Sequence, residues 1–346
     1  MNMQIRRIVL FALVLMLISF TQVYSQDKSF TIMSYNVENL FDTLDTPGKD
    51  DIEFTPLSKK NWDTEKYSKK LIDLSKVIAG VDKLNLPDVV GLIEVENRQV
   101  VEDLINTPLL KPGKYAVVHE ESPDARGIDV ALIYRKDRFT YEGHVKIPVA
   151  FPFDSTEKTR DILYVYGKAS DGLDIHFFVN HWSSRIGGER ETEPKRMYCA
   201  VSLRRNLDLL LSRDSKARIV IMGDLNDEPT NRSIMSVLQA SNKRKNISVG
   251  EFYNLMYDSH NLNSEGTYFY KGNWNMIDNL IVSHTLLNTT GTLGCKYDSG
   301  KIFKEEWMMF KAKNGEISPN RSFGGDNYYG GVSDHLPIYL KLEIAK

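Results

Sequence analysis

The stretch VIMGDLNDEP runs from an apolar segment straight into Asp224, Asn226, Asp227 and Glu228. The pattern recurs. SYNVENLF ends near Asn36 and Glu38, GLIEVEN near Glu94 and Glu96, and FFVNHW near Asn180 and His181. MIDNLIV sets Asp278 among Met276, Ile277, Leu280 and Ile281, and GVSDHLPIYL puts Asp334 and His335 just ahead of an apolar run. One acid or amide at a strand end is ordinarily a cap or turn residue. Six such stretches in one chain ask for another reason, because buried charge is costly unless paired or metal-bound. Carboxylates and amides with few imidazoles form a hard oxygen donor set, suited to Mg2+ or Mn2+ rather than Zn2+. A phosphate ester beside such an ion is open to attack by water. That chemistry needs a carboxylate for the water, donors for the phosphoryl oxygens and an imidazole.

Strands must deliver these side chains. FTIMSYNV, DVVGLIEV, YAVVHE, DVALIYR, ILYVYGKA, LDIHFFVNHW, ARIVIMGDLN, NMIDNLIVS and HLPIYLKLEI are rich in Val, Ile, Tyr and Phe and read as strands. Apolar spacing predicts helices over 64–81, 100–110, 193–212 and 231–240. Helices separate the early strands, whereas later strands follow one another, so parallel and antiparallel pairs are both implied. That order predicts an α/β sandwich of two mixed sheets covered by helices. No shift in composition marks a boundary, so 26–346 reads as a single domain. Residues 42–63 and 285–333 read as long loops, the second holding SFGGDNYYGGVS, a surface loop or flap.

In this order, SYNVENL, IEVEN, NHW, GDLND and SDHLPI resemble the motifs of the endonuclease/exonuclease/phosphatase superfamily. The resemblance covers nearly the whole chain past its leader. It implies a four-layer α/β/β/α sandwich, two mixed β-sheets face to face with helices outside, and a site at one edge of the sheets. It implies Asn36 and Glu94 as metal-site residues, Glu94 being the direct carboxylate ligand, and Asp334 as a second metal-side carboxylate. Asp224 resembles the residue that orients or deprotonates the attacking water, and Asn226 the donor to phosphate oxygens. His335 resembles the histidine on the scissile phosphate, oriented by Asp278, and His181 matches a histidine of the deoxyribonuclease and sphingomyelinase branches. The implied cofactor is Mg2+, with Mn2+ or Ca2+ as alternatives. One departure stands out: many members carry a basic residue where this chain has Met276, which removes a charge beside Asp278.

The first residues read as a secretory signal peptide over 1–25: Arg6 and Arg7, an apolar run over 8–20, then small Ser25. The run is shorter than the ~20 apolar residues of a membrane helix. A periplasmic or secreted protein is expected, with no membrane span after cleavage. Loss of both arginines takes the formal net charge from -2 to -4. No global basic field then holds a polyanion, so local arginines must do so. Arg126 in ARGIDVALIYR and Arg185 in HWSSRIGGERETEPKR are the phosphate-binding candidates, since guanidinium suits phosphate geometry. Arg190, Lys195 and Arg196 are interleaved with Glu189, Glu191 and Glu193, which also fits a solvated charged loop.

The chain thus reads as an exported metal-dependent phosphodiesterase with nucleic acid as the expected substrate and no evident protein partner. A phosphoesterase for a phospholipid head group or inositol phosphate is the alternative. An exposed aromatic hairpin would favour lipid, and none stands out in the sequence. A non-catalytic binding protein on the same fold is the third reading, yet Glu94, Asp224, Asn226, Asp278 and His335 are all present. Cys199 and Cys295 are open to pairing in an exported chain or to lying as buried free thiols.

Overall fold

The computed structural model describes residues 29–82, 85–287 and 289–344. The signal peptide read over 1–25 lies outside the described residues. One sheet is built from β1 (Ser29–Leu40), β2 (Val89–Val95), β3 (Tyr115–His119), β4 (Asp129–Arg135) and the last strand, Ile338–Ile344. Its order is Leu293–Gly294, Ile338–Ile344, β1, β2, β4, β3, with Lys301–Ile302 also on the last strand. The second sheet runs β5 (Thr140–Ile147), β6 (Ile162–Lys168), β7 (Asp174–His181), β8 (Ile219–Asp224), then Asp278–Ser283, Phe252–Asn254 and Ala240–Ser241. Both sheets are mixed: β1 with β2 and β7 with β8 are parallel, while the last strand is antiparallel to β1. Parallel neighbours need a crossover. The helix Thr64–Gly80 lies between β1 and β2, and Glu189–Arg213 between β7 and β8.

Side-chain alternation sorts the strands into layers. In β1, Phe30 and Ile32 face the second sheet, while Met33, Tyr35 and Val37 pack with Leu71, Leu74, Val77 and Ile78 of the helix Thr64–Gly80. In β8, Val220 and Met222 face the first sheet, while Ile219 and Ile221 pack with Ala200, Leu203 and Leu207 of Glu189–Arg213. The layers are therefore helix, sheet, sheet, helix. Central strands are buried on both faces, which is why they read as near-continuous apolar runs. Gly91 permits close sheet contact: a Cβ there would meet Met222 Sδ at 3.0 Å and Val179 Cγ1 at 3.3 Å. Asp63 caps the first helix by accepting the Lys66 N–H at 3.0 Å.

Some elements differ from expectation. The helix predicted over 193–212 begins at Glu189; Pro194 suits a first helical turn, yet the Thr192 hydroxyl and N–H both reach the Gly188 carbonyl one turn upstream. The helix predicted over 231–240 shrinks to a π-type turn, Ser233–Val237, followed by the short strand Ala240–Ser241. Asn231 Oδ1 there accepts the Glu228 N–H at 2.6 Å, and the Ser233 hydroxyl donates to Asp227 at 2.6 Å. Such local bonds compete with helix. The helix predicted over 100–110 is Arg98–Ile105. Within 285–333, SFGGDNYYGGVS folds as a small hairpin, Phe323–Gly324 with Asn327–Tyr328, and Phe323 packs on Trp62 with ring centroids 5.8 Å apart. The loops over 42–63 and 285–333 thus meet. Both cysteines are free and buried in different layers, Cys199 on the inner face of the long helix and Cys295 between the sheets. No helix among the described residues is long and apolar enough to cross a membrane.

Candidate active site

The alternation that fills the space between the sheets also delivers the site. On β7 the inward stripe is Phe177, Val179, then His181; on β8 it is Val220, Met222, then Asp224. On the strand Asp278–Ser283, Val282 and Leu280 lead to Asp278. On β1, Phe30 and Ile32 lead through Ser34 to Asn36. Each stripe is apolar until it reaches one edge of the sandwich. Register places both His181 and Asp278 directly beside Asp224. Gly223 precedes Asp224 at φ 137°, and a Cβ there would lie 1.9 Å from the Asn180 carbonyl oxygen. Glu94 breaks the β2 register at φ 66°, a left-handed conformation uncommon for a residue with a side chain.

Asn36 Nδ2 donates to Asp224 Oδ2 at 3.1 Å and lies 3.3 Å from Glu94 Oε1. The second Glu94 oxygen accepts the Asn39 N–H at 3.0 Å. His181 Nε2 is 3.8 Å from both Glu94 Oε1 and Asp224 Oδ2. His335 Nδ1 is 2.8 Å from Asp278 Oδ2, and its Nε2 is 3.8 Å from Asp224 Oδ2. Asp278 also accepts the Thr267 hydroxyl at 2.5 Å. The Tyr268 ring leans on His335 at 4.8 Å.

Charge in this buried space is unevenly distributed. Burial, with the Asp278 and Glu94 charges, pushes the Asp224 carboxyl up to about 7 against the pull of His335. Burial works to lower the His335 pKa, but Asp278, Asp224 and Asp334 together hold it well above the usual imidazole value. His181 goes the other way: burial, then Arg160, Arg126 and His335, depress it well below that value. The surroundings thus favour the charged imidazole at His335 and the neutral one at His181.

Seven of the residues named from sequence converge here: Asn36, Glu94, His181, Asp224, Asn226, Asp278 and His335. Asn226 offers its backbone N–H to Asp224 Oδ1 at 2.9 Å, while its Nδ2 donates to the Trp182 carbonyl at 3.0 Å. Asp334 stands to one side, where it accepts from Arg321 Nη2 at 2.7 Å. Burial and then Asp334 push the neighbouring Glu38 carboxyl up to about 7. Arg126 is exposed and hydrogen-bonds the Asn39 side chain at the rim. Arg185 turns inward, with Nε donating to the Asn226 carbonyl at 2.7 Å and Nη2 to Asn231 Oδ1 at 3.2 Å. Arg196 is fully buried against Asp227 at 2.6 Å. Met276 is buried in the core between the sheets, so its lost charge leaves no gap at the site.

Several site residues escaped the sequence. Thr267 and Tyr268 stand on and beside the hairpin Tyr268–Tyr270/Asn273–Asn275, an aromatic hairpin contrary to expectation; its signal was the run TYFYKGNW. Ser333 donates to the Asn36 carbonyl at 2.8 Å and accepts the His335 N–H at 3.1 Å. Arg160 donates to the Trp182 carbonyl at 2.6 Å and pairs with Asp124 at 3.1 Å. Beside the site, a pocket of about 190 Å³ is walled by Asn39, Trp62, Lys60, Arg321, Phe323 and Asp334.

The model of the Endonuclease/Exonuclease/phosphatase family matches residues 31–344, and the chain belongs to this family. Its members are hydrolases acting on phosphoester bonds and generally use a divalent metal. Among solved structures, D. rerio TDP2 complexed with single strand DNA product is 16% identical, with TM-score 0.54 over 92% of this chain and 100% of that one. Bacteroides thetaiotaomicron mannosyl-6-phosphatase is 16% identical, with TM-score 0.54 over 90% of this chain and 99% of its own. The human Nocturnin catalytic domain with bound sulfate is 16% identical, with TM-score 0.53 over 91% and 94%. These likenesses carry the fold. No curated protein gives a significant match.

Proposed function

We propose that this chain is an exported, divalent-metal-dependent phosphodiesterase that hydrolyses nucleic acid. The observation that carries the reading is geometric: the buried Asp224 carboxylate faces His335 Nε2 at 3.8 Å, while Asp278 holds the other imidazole nitrogen at 2.8 Å. The donor set fits a hard divalent ion. Among the described residues no lysine or arginine forms an ion pair with Glu94 or Asp224; an amide, two imidazoles and two backbone N–H groups stand by them. Glu94 and Asn36 would hold the ion, Mg2+ ahead of Mn2+, with Asp334 on the same side. When bound, such an ion supplies positive charge to phosphoryl oxygens.

Asp224 takes the proton of the attacking water, a task best served by a pKa near the working pH. Asp278 holds His335 Nδ1, so the Nε2–H is presented to a phosphoryl oxygen. Asn226 keeps one amide N–H after bonding Trp182 and supplies a second donor. His181 sits neutral between Glu94 and Asp224, in reach of both.

The aromatic hairpin, a feature that by itself also suits a lipid substrate, is read with its stacked tyrosines as a base-binding platform. Tyr268 and Tyr270 are parallel within 17°, Tyr270 is exposed, and Lys271 lies over it at 5.1 Å. Such a platform suits a base with its phosphate. D. rerio TDP2, similar in fold, was captured with single strand DNA. A second reading rests on the neighbouring pocket, whose size suits one ring: a small cyclic phosphoester such as an inositol phosphate. Export rests on Arg6, Arg7 and the apolar run over 8–20. The test offers single-stranded DNA, RNA, inositol phosphates and sphingomyelin vesicles to wild type and Asp224→Ala, each with Mg2+, Mn2+ or Ca2+. Metal-dependent cleavage of DNA or RNA, lost in the variant, is expected. Turnover of inositol phosphate alone would install the second reading; no turnover under any metal would overturn both.

A further inference from the structure

A second cluster of ligating side chains lies in the β3–β4 connection. His119 ends β3, Asp129 opens β4, and Glu121 stands between them. Each offers one ligand atom, and the three atoms lie within 4.8 Å of one another. The His119 and Asp129 side chains are 3% and 1% exposed, with Nε2 and Oδ2 facing each other at 3.3 Å. Both of those atoms lack a hydrogen-bond partner. The other Asp129 oxygen is fully engaged: it accepts the Ser122 N–H at 2.9 Å and the Ser122 hydroxyl. The carboxylate is thus oriented with one oxygen saturated and the other turned to His119 without a well-formed hydrogen bond, as outer partners orient a metal ligand.

The neighbouring lysines hydrogen-bond to backbone carbonyls rather than to the cluster's carboxylates. Lys49 Nζ donates to the Ser122 and Asp124 carbonyls at 3.2 and 3.1 Å, and Lys146 Nζ to the Glu121 carbonyl at 2.8 Å. Two crowded carboxylates and a bare imidazole nitrogen share one small space.

We propose that His119, Glu121 and Asp129 form a second, structural metal site for a borderline divalent ion, Zn2+ ahead of Mn2+. The imidazole nitrogen tips the set away from Mg2+ and Ca2+, which prefer all-oxygen sites, and the affinity order favours Zn2+ over Mn2+. Exposed Glu121 leaves the ion open to water on one side. The site ties together the two ends of the 120–128 loop. That loop carries Asp124, which pairs with Arg160, and Arg126, which reaches Asn39 beside Glu94. Closing its ends removes freedom from the unfolded loop and fixes these contacts.

Zinc content and thermal melting test the proposal in a Glu94→Gln background, which separates it from the phosphate site. Metal-stripped protein is titrated with Zn2+ at pH 7. Glu94→Gln should bind Zn2+ and melt at a higher temperature with it; Glu94→Gln/His119→Ala should do neither. Should His119→Ala fail to fold, Glu121→Gln leaves the buried pair untouched and should weaken Zn2+ binding at least ~10-fold, the scale seen when metal-site partners are removed. Equal Zn2+ binding in Glu94→Gln and Glu94→Gln/Glu121→Gln, or no Zn2+-dependent melting shift in Glu94→Gln, would leave His119–Asp129 a plain buried pair and overturn the site.

Discussion

Asp278 has no access to solvent and two bonds to make, to His335 and to Thr267. Its influence passes through the imidazole. His335 holds its proton more tightly in the fold than in the unfolded chain. Its stabilising contribution is therefore complete below the ordinary imidazole pKa of about 6.5 and is lost as pH rises through the folded value. Asp224 acts with the same sign but in a lower window, between its unfolded value and about 7. Urea unfolding of metal-stripped protein should thus lose stability on the alkaline side of neutral, and Asp278→Asn should flatten that slope. A wild-type profile already flat from pH 7 to 10 would contradict the pairing. Glu94→Gln removes a charge but not a shape. Its rate should fall, and the Mg2+ concentration needed for half-maximal activity should rise at least ~10-fold; unchanged metal dependence would remove Glu94 from the ligand set. Burial pushes both thiols up to about 11. Iodoacetamide at pH 8 should label neither Cys199 nor Cys295 until denaturant is added, with mass spectrometry counting the adducts.

Strands explain how much of the site was legible. A polar residue that closes an apolar stripe is visible in one dimension, so Asn36, Glu94, His181, Asp224, Asp278 and His335 could be picked out before any fold was known. Side-chain direction in loops is not visible that way. Arg185 looks free in HWSSRIGGERETEPKR, yet its partners Asn226 and Asn231 follow β8 and reach it only because β7 and β8 pair in parallel. Tyr268 was hidden for a different reason: its hairpin is short, and its contact with His335 joins two distant parts of the chain. The fold separates the two arginines experimentally. Arg126→Ala should reduce the log–log salt slope of nucleic-acid binding by roughly 0.7–0.9 with little change in stability. Arg185→Ala should instead cost about 1–3 kcal/mol of stability, the scale of losing charged hydrogen bonds. Denaturant titration beside salt-dependent binding reads both; the reverse assignment would show that Arg185 swings out to substrate.

At the scale of the molecule, the first and last strands among the described residues pair. β1 is hydrogen-bonded to the last strand, with Ser34 opposite Ile338. Asn36 lies just past that pairing on one strand, and His335 just before it on the other. Translation therefore produces Asn36 long before His335. While the tail is still in the exit tunnel, the nascent chain has its carboxylates but no His335 imidazole, and β1 has no partner on that side.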